Sequence, residues 1–472
     1  MSSIKSKTYE FGFILTPDEY APYLHFIERK CVERFGSNLT SIEYVDDIDA
    51  LKITISDESS DVSYVVTIRA SRFPTITIES SRPAPIDTFV DLTIDFQFFT
   101  YQFIANLDEA TLGLVFIPGL PIIPSKQLSV GRRILSRILA GNLLALLLIF
   151  LVFGYFMFAI LKEYAPIGIL ASQIAVFMLS HKIISYLGDW TLSSSNGELH
   201  VAICKLSRMD FRKLVVKRWS DVMKIKRQIY AKTLAVGKSI TPEVVSEVLR
   251  SWGVHCPPSK VAIRVVPMYR LIREVVDAYN APMPLTIVAN TFIPNAAATG
   301  PALRFARLLV TSGLAFTLND EEIKAVIGHE ISHLINRDPL ILLIISSIEY
   351  LARVYILWEL RWPFDLIYFI FSITLLYFVA KFLEARADLE SAFKLKLSGA
   401  LSNALMKIGF RRLFYERYRG YRIQRWLGWD PHPPIYFRVL RLENLKLDGK
   451  PKSLLLKSAR ECISGFISTL SF

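Results

Sequence analysis

Residues 325–338 read AVIGHEISHLINRD and place two histidines, His329 and His333, four positions apart around Glu330. In an α-helix, residues i and i+4 stand one above the other on the same face. Both imidazoles can therefore aim a ring nitrogen at a single metal ion. Glu330 follows His329 directly, where it reaches a water on that metal rather than the metal itself, the general-base position of an H-E-x-x-H helix. The flanking residues predict the helix. Asn319 is an N-cap with Glu322 three residues on, and Ile323, Val326, Ile327, Leu334 and Ile335 supply one apolar side. The chain has only seven histidines in 472 residues, so the pairing is not a product of composition.

Two histidines do not complete a catalytic zinc site, which takes a third protein ligand and keeps one position open. The segment FLEARADLESA supplies Glu384 and, four residues later, Asp388. On one continuing helix these share a face. Glu384 is the expected third ligand, and Asp388, one turn away, can hold the other ring nitrogen of a ligand histidine.

Between the histidines and the glutamate lie two apolar segments, residues 339–360 and 363–383, joined by RW. An earlier pair, 138–161 and 166–187, is joined by KEYA. Segments of about 20 apolar residues can each cross a bilayer, so the pattern predicts two transmembrane hairpins. Composition agrees: 52% of residues are hydrophobic and the mean hydropathy is +0.35. The net charge is +12. A basic and strongly apolar chain reads as a membrane protein with basic loops rather than as a nucleic-acid binder. Each tight link carries one basic residue, Lys162 or Arg361. The opposite ends carry Lys126, Arg132, Arg133, Arg137, Lys182, Arg386 and the run RRLFYERYRGYRIQRW. Lysine and arginine collect on the cytoplasmic side, so the N-terminal, middle and C-terminal regions are all expected there. The four cysteines are scattered and form no CxxC, which suits a reducing compartment. The opening MSSIKSKTYEFGF has no apolar signal region, so no cleaved export peptide is expected.

Five units follow: a soluble α+β domain over 1–128, a first transmembrane hairpin over 129–190, and catalytic parts at 191–338 and 384–472 around a second hairpin at 339–383. In the first unit TPDEYAPYLHFIERKCVERFG has helical periodicity, while LKITIS, VSYVVTIRAS and TITIESS read as strands of an antiparallel sheet. The unit holds no catalytic motif, and both a docking role and a structural cap fit it. The basic stretch CKLSRMDFRKLVVKRWSDVMKIKRQIYAK, beside a span, reads better as a solvated helix against the membrane surface than as a nucleic-acid site.

These residues resemble the HtpX-type membrane metalloproteases, relatives of the CAAX prenyl proteases. The resemblance rests on NAAATG at residues 295–300, on AVIGHEISHLINRD, on the glutamate-to-aspartate spacing in EARAD, and on HPP at 432–434 followed by YFRVLRL. It covers roughly residues 132–442. Ala297 stands where the family usually has an aromatic, and Leu383 where a basic residue often precedes the glutamate. The resemblance implies a gluzincin-type zinc protease domain with a small sheet. It also implies Asn295 beside the substrate cleft, next to a strand that pairs with an extended peptide, and His432 as a donor to the oxyanion. PLTIVAN and LLVTSGLAF read as neighbouring strands that could form such an edge.

The chemistry expected is zinc-assisted peptide hydrolysis, with His329, His333 and Glu384 on the metal, Glu330 as base, and Asp388 and His432 in support. The expected substrates are membrane proteins or peptides held near the cytoplasmic face of the bilayer, in membrane-protein quality control. No nucleic-acid partner is expected, and the sequence leaves the oligomeric state open. The nearest alternative is a CAAX-type prenyl protease. A transporter or scaffold is the alternative from another class, raised by Glu349 and Arg353 inside a span. Four apart and opposite in charge, these two are better explained as a self-satisfied pair.

Overall fold

The computed structural model describes residues 3–45, 49–57, 62–122, 143–217, 219–357, 359, 363–447, 449 and 451–470. Lys126, Arg132, Arg133, Arg137, the start of the first expected span (138–142) and the Arg361 link lie outside the described residues.

The N-terminal region forms β1 (Ser3–Glu10), α1 (Tyr20–Phe35), β2 (Leu39–Val45), β3 (Ala50–Asp57), β4 (Val62–Arg69), β5 (Thr75–Pro85) and α2 (Ile86–Asn106). The five strands make an antiparallel sheet in the order β1-β5-β4-β3-β2. Side chains alternate across a strand, so Leu51, Ile53, Val66, Ile68, Ile76 and Ile78 bury on one face, under residues from α1 and α2. That core is shared with the far end of the chain. Met406, Phe410, Leu413, Ile435 and Val439 belong to the same cluster.

The strand β6 (Glu109–Phe116) leaves this region. It pairs antiparallel with a strand almost a hundred residues later, so the expected 1–128 unit is stitched into the middle of the chain. Next come α3 (Leu143–Leu161) and α4 (Ala165–Leu187). The chain turns back between them at Lys162, which takes φ 48°. A Cβ on Gly168 would meet the side chains of both Leu161 and Met157, so the two helices pack as closely as glycine allows. Near its end, α4 carries Ser180, whose hydroxyl accepts a hydrogen bond from Thr299 at 3.1 Å.

The middle region contributes β7 (Trp190–Thr191), β8 (Leu199–Ser207), α5 (Trp219–Lys232), α6 (Pro242–Ser251), β9 (Val261–Val266) and α7 (Met268–Ala278). β8 is central in the sheet β6-β8-β9 and is buried on both faces. The basic stretch departs from the expectation of a solvated helix against a membrane. Val222, Ile225 and Ile229 of α5 cover the sheet together with Val245, Val248 and Leu249 of α6. The apolar face of α5 is thus spent inside the protein.

Then follow β10 (Leu285–Ala289), β11 (Ala296–Thr299), β12 (Arg307–Thr311), α8 (Ser312–Thr317), α9 (Asp320–Asn336), α10 (Asp338–Tyr355), α11 (Phe364–Leu395), α12 (Ser398–Glu416), α13 (Arg419–Leu427), α14 (Ile435–Glu443) and α15 (Leu454–Leu470). The small sheet runs β11-β12-β10-β7. β10 and β12 are parallel and β11 is an antiparallel edge, so the two strands expected as neighbours are neighbours.

Among the described residues, two helical stretches are long and apolar enough to cross a membrane: 152–186, mean hydropathy 1.7, which turns back at Lys162, and Phe364–Leu395, mean hydropathy 2.1. The expected span 339–360 is shorter in the structure. α10 ends at Tyr355, and its 18 residues reach about 27 Å at 1.5 Å per residue. Joined with α9 across a 50° bend, it makes a stretch long and apolar enough for one further crossing. Asp338, Glu349 and Arg353 are the physical reason. The last two form the expected pair at 3.3 Å, with Ser372 of α11 donating to Glu349 at 3.1 Å.

Candidate metal centre and cleft

The HEISH helix begins as the sequence predicts. The Asn319 side chain accepts from the Glu322 N–H at 2.9 Å, and the Glu322 carboxylate accepts from the Asn319 N–H at 2.9 Å. Such a cap is worth about 1 kcal/mol. Ile323, Ile327 and Leu334 are buried, whereas Val326 and Ile335 are only partly so. Gly328, just before the first histidine, sets how near α11 can come. A Cβ there would lie 2.6 Å from Leu395 Cδ1 and 2.7 Å from Ser391 Oγ. The Gly328 carbonyl also accepts from the Tyr279 hydroxyl at 2.9 Å.

α11 runs unbroken from the apolar stretch through EARAD, and the closeness of the two helices brings Glu384 against both histidines. The Nε2 atoms of His329 and His333 are 3.1 Å apart. Glu384 Oε2 lies 3.3 Å from the first and Oε1 3.4 Å from the second. These three residues form the metal-binding group found among the described residues. Zinc takes nitrogen and oxygen ligands at about 2.0–2.2 Å in a tetrahedron, whose edges are then roughly 3.4 Å. The observed spacings, with one Glu384 oxygen nearer each histidine, are of that size. Glu384 Oε2 is buried without a hydrogen-bond partner among the described residues, the condition of a carboxylate oxygen shaped for an ion.

The outer nitrogens are held too. Asp388 Oδ1 lies 2.9 Å from His329 Nδ1, the task expected of it, and Asp388 accepts from Arg438 at 2.8 and 2.7 Å. Asp338 Oδ2 lies 2.7 Å from His333 Nδ1 and pairs with Arg386. Each ligand histidine therefore rests on a carboxylate that rests on an arginine. Asp338, Arg386 and Arg438 escaped the sequence reading. Asp338 reaches back only because Arg337 takes a left-handed turn, φ 56° and ψ 38°, between α9 and α10. No glycine marks that turn.

Glu330 is not in the triangle. Its carboxylate accepts from the backbone N–H of Ala298 on the edge strand β11 at 3.0 Å. Burial pushes this carboxyl up, with His329 and His333 opposing. Asn295 sits at the start of that edge. Its N–H donates to Thr311 Oγ1 at 2.8 Å and its carbonyl accepts from the Thr311 N–H at 3.0 Å, while the residue as a whole is exposed. His432 is 45% exposed, with Nε2 3.7 Å from Glu384 Oε2. Its Nδ1 is 2.9 Å from Asp430 Oδ1. Burial would raise the Asp430 carboxyl, but hydrogen bonds from the His432 ring and N–H, with Arg425 nearby, hold it well below the usual carboxylate range. The loop is tied to α11 through Lys381, which donates to the carbonyls of Gly428 and Asp430 at 3.0 and 2.7 Å. Asp430 and Lys381 were also missed in the sequence. His329, Glu330, Asn295 and His432 all line one cleft of about 740 Å³.

The same part of the chain is similar to known proteins. The family "Peptidase family M48" matches residues 267–446. A protease HtpX homolog of Caldanaerobacter subterraneus subsp. tengcongensis is 34% identical over 112 residues, covering 21% of this chain and 38% of the relative. One of Methanothermobacter thermautotrophicus is 30% identical over 120 residues, 25% of this chain and 44% of the relative. The chain thus spans less than half the length of these curated relatives. The crystal structure of S. mikatae Ste24p is 17% identical, with TM-score 0.28, covering 37% of this chain and 48% of that one. A score that low carries no argument about the fold.

Proposed function

We propose that this chain, an HtpX-type M48 metalloprotease across residues 267–446, is a zinc-dependent membrane endopeptidase. It hydrolyses peptide bonds of membrane-associated proteins near the cytoplasmic surface, in membrane-protein quality control. The observation that carries this reading is the convergence of His329, His333 and Glu384 ligand atoms within 4.8 Å, with Glu330 between them and the edge strand.

Zinc bound by those three residues would act as a Lewis acid toward the scissile carbonyl and a water. Glu330 takes the proton of the attacking water and passes it to the leaving amine, and a carboxyl raised by burial is suited to both halves of that transfer. With Nδ1 of His432 against Asp430, Nε2 is the atom left for the cleft. From there it is placed to meet the developing oxyanion. Asn295, its backbone pinned to Thr311, offers its amide to a peptide lying extended along β11.

Helix length supports the location. Glu384 lies 20 residues after Phe364, the first residue of α11, about 30 Å along the axis, the thickness of a bilayer's hydrocarbon core. The centre then sits at the membrane surface on the side richer in lysine and arginine.

The test is Glu330→Gln in detergent-purified protein, scored for hydrolysis of an unfolded reporter and for zinc content. Hydrolysis should vanish, as it should on chelation in the wild type, while one zinc per chain stays bound. Loss of zinc in the variant would overturn this division of roles. Cleavage confined to farnesylated peptides would favour a prenyl protease instead.

A further inference from the structure

The cleft has a wall that the M48 segment does not build. Phe13, Gln97 and Tyr101 of the N-terminal region line the same 740 Å³ space as His329, Glu330 and Asn295. This wall is fixed in place. Lys407 on α12, its side chain 2% exposed, lies 2.9 Å from Glu10 at the end of β1 and 2.9 Å from Glu322 of the α9 cap. Phe98 of α2 stacks on Phe414 of α12 at 4.5 Å. A Cβ on Gly12 would come within 3.2 Å of Thr317, so the loop after β1 presses against the end of α8.

Two features of the wall are suited to reading a side chain. Tyr101 packs edge-on against Phe13 at 6.3 Å and lies 6.1 Å from the Phe410 ring, yet remains 38% exposed, an aromatic surface in a concave site. Beside it, Arg411 donates to the Tyr101 hydroxyl at 3.3 Å. The other cations of the cleft are occupied: Lys407 by Glu10 and Glu322, Arg412 by Asp430, and Arg438 by Asp388. Among the described residues Arg411 has no carboxylate partner.

We infer that the N-terminal region is the specificity wall of the cleft, taking a large apolar or aromatic substrate residue against Phe13 and Tyr101 and an adjacent acidic side chain on Arg411. This rests on the proteolytic reading above. The occupant is the substrate chain itself, because the wall is continuous with the space that Glu330 and His329 open into. Arg411 is exposed on the cleft lining, and a guanidinium with no carboxylate of its own favours a carboxylate and disfavours a cation.

The experiment uses full-length protein in detergent. Fluorogenic peptides carry Phe-Glu, Phe-Lys or Ala-Glu at each position from four before to four after the scissile bond. Wild type should prefer Phe-Glu to Phe-Lys by about tenfold in kcat/KM at one position. Arg411→Glu should reverse that preference, and Tyr101→Ala should cut the Phe-over-Ala preference by about fivefold. Each ratio is taken within one variant, so it does not depend on the fraction folded. Ratios unchanged in both variants, while casein is still hydrolysed, would overturn this inference alone. A wild type that hydrolyses neither casein nor any peptide would overturn the proteolytic reading, and this inference with it.

Discussion

Replacing Asp388 separates the metal role of a residue from its structural role. Its side chain is fully buried, 2.9 Å from His329 Nδ1 on one side and 2.7–2.8 Å from two nitrogens of Arg438 on the other. Asp388→Asn removes the negative charge from both. Arg438, itself buried, is left uncompensated, which costs about 3–5 kcal/mol for a broken buried pair. His329 loses the carboxylate that fixes its ring, which costs about 10–100-fold in metal affinity. A second change, Arg438→Met, removes the stranded cation. The double variant should recover most of the thermal midpoint lost by Asp388→Asn, and the shortfall from additivity measures the pair. It should not recover zinc affinity, because His329 still lacks its support. The assay is thermal unfolding in detergent beside zinc competition with a chromogenic chelator. If Asp388→Asn binds zinc as tightly as wild type, the carboxylate does not orient His329 and the reasoning fails.

Glu384→Ala should weaken zinc binding at least tenfold, and unchanged binding would move the third ligand to Asp388 or His432. Topology is open to labelling, since the four native cysteines are all buried. Cysteine at Ile356, 74% exposed past the end of α10, should react with an impermeant thiol reagent from outside cells, and cysteine at Ser398 should not. Labelling of both from one side would refute a membrane crossing between them. Lys226 is buried and its pKa is pushed down to about 8, burial outweighing Asp189. A base with a depressed folded pKa lowers stability where it is charged in both states, below pH 8. That loss fades as the pH rises toward 10.5. Lys226→Met should therefore stabilise the protein at pH 7 by roughly 3 kcal/mol, with the gain shrinking through that window. A gain that stays constant to pH 10.5 would show that burial of the charge is not its source.

The parts of the centre legible in the sequence are those whose spacing matches a helical period. His329, His333, Glu384 and Asp388 are set by i,i+4 geometry, and the Asn319–Glu322 cap by three. What stayed hidden depends on contacts between segments far apart. Arg438 reaches Asp388 across 50 residues and Arg386 reaches Asp338 across 48, and no local pattern encodes either. Apolar length was a fair guide for α11 but overstated α10, where charged residues interrupt the run. The strand character of residues 109–116 was overlooked because its partner lies at 199–207. The N-terminal region looked separable because it carries no catalytic motif, but Phe89, Phe96 and Phe410 share one core.

The glycine before the first histidine bears on how this protein acquires its metal. With no side chain at Gly328, Ser391 and Leu395 of α11 fill the space that a Cβ on α9 would need. Helix packing therefore helps to hold the ligand residues together through contacts that the ligands themselves do not make. In domains whose fold is made by zinc, chelation and unfolding are one event. Here they are two. A chelator should strip the ion and leave the scaffold standing, lowering the thermal midpoint only by the mass-action share of zinc binding. On the proposed zinc-protease reading, metal loading would then be a late and reversible step, set by the metal available rather than by the folding of the chain.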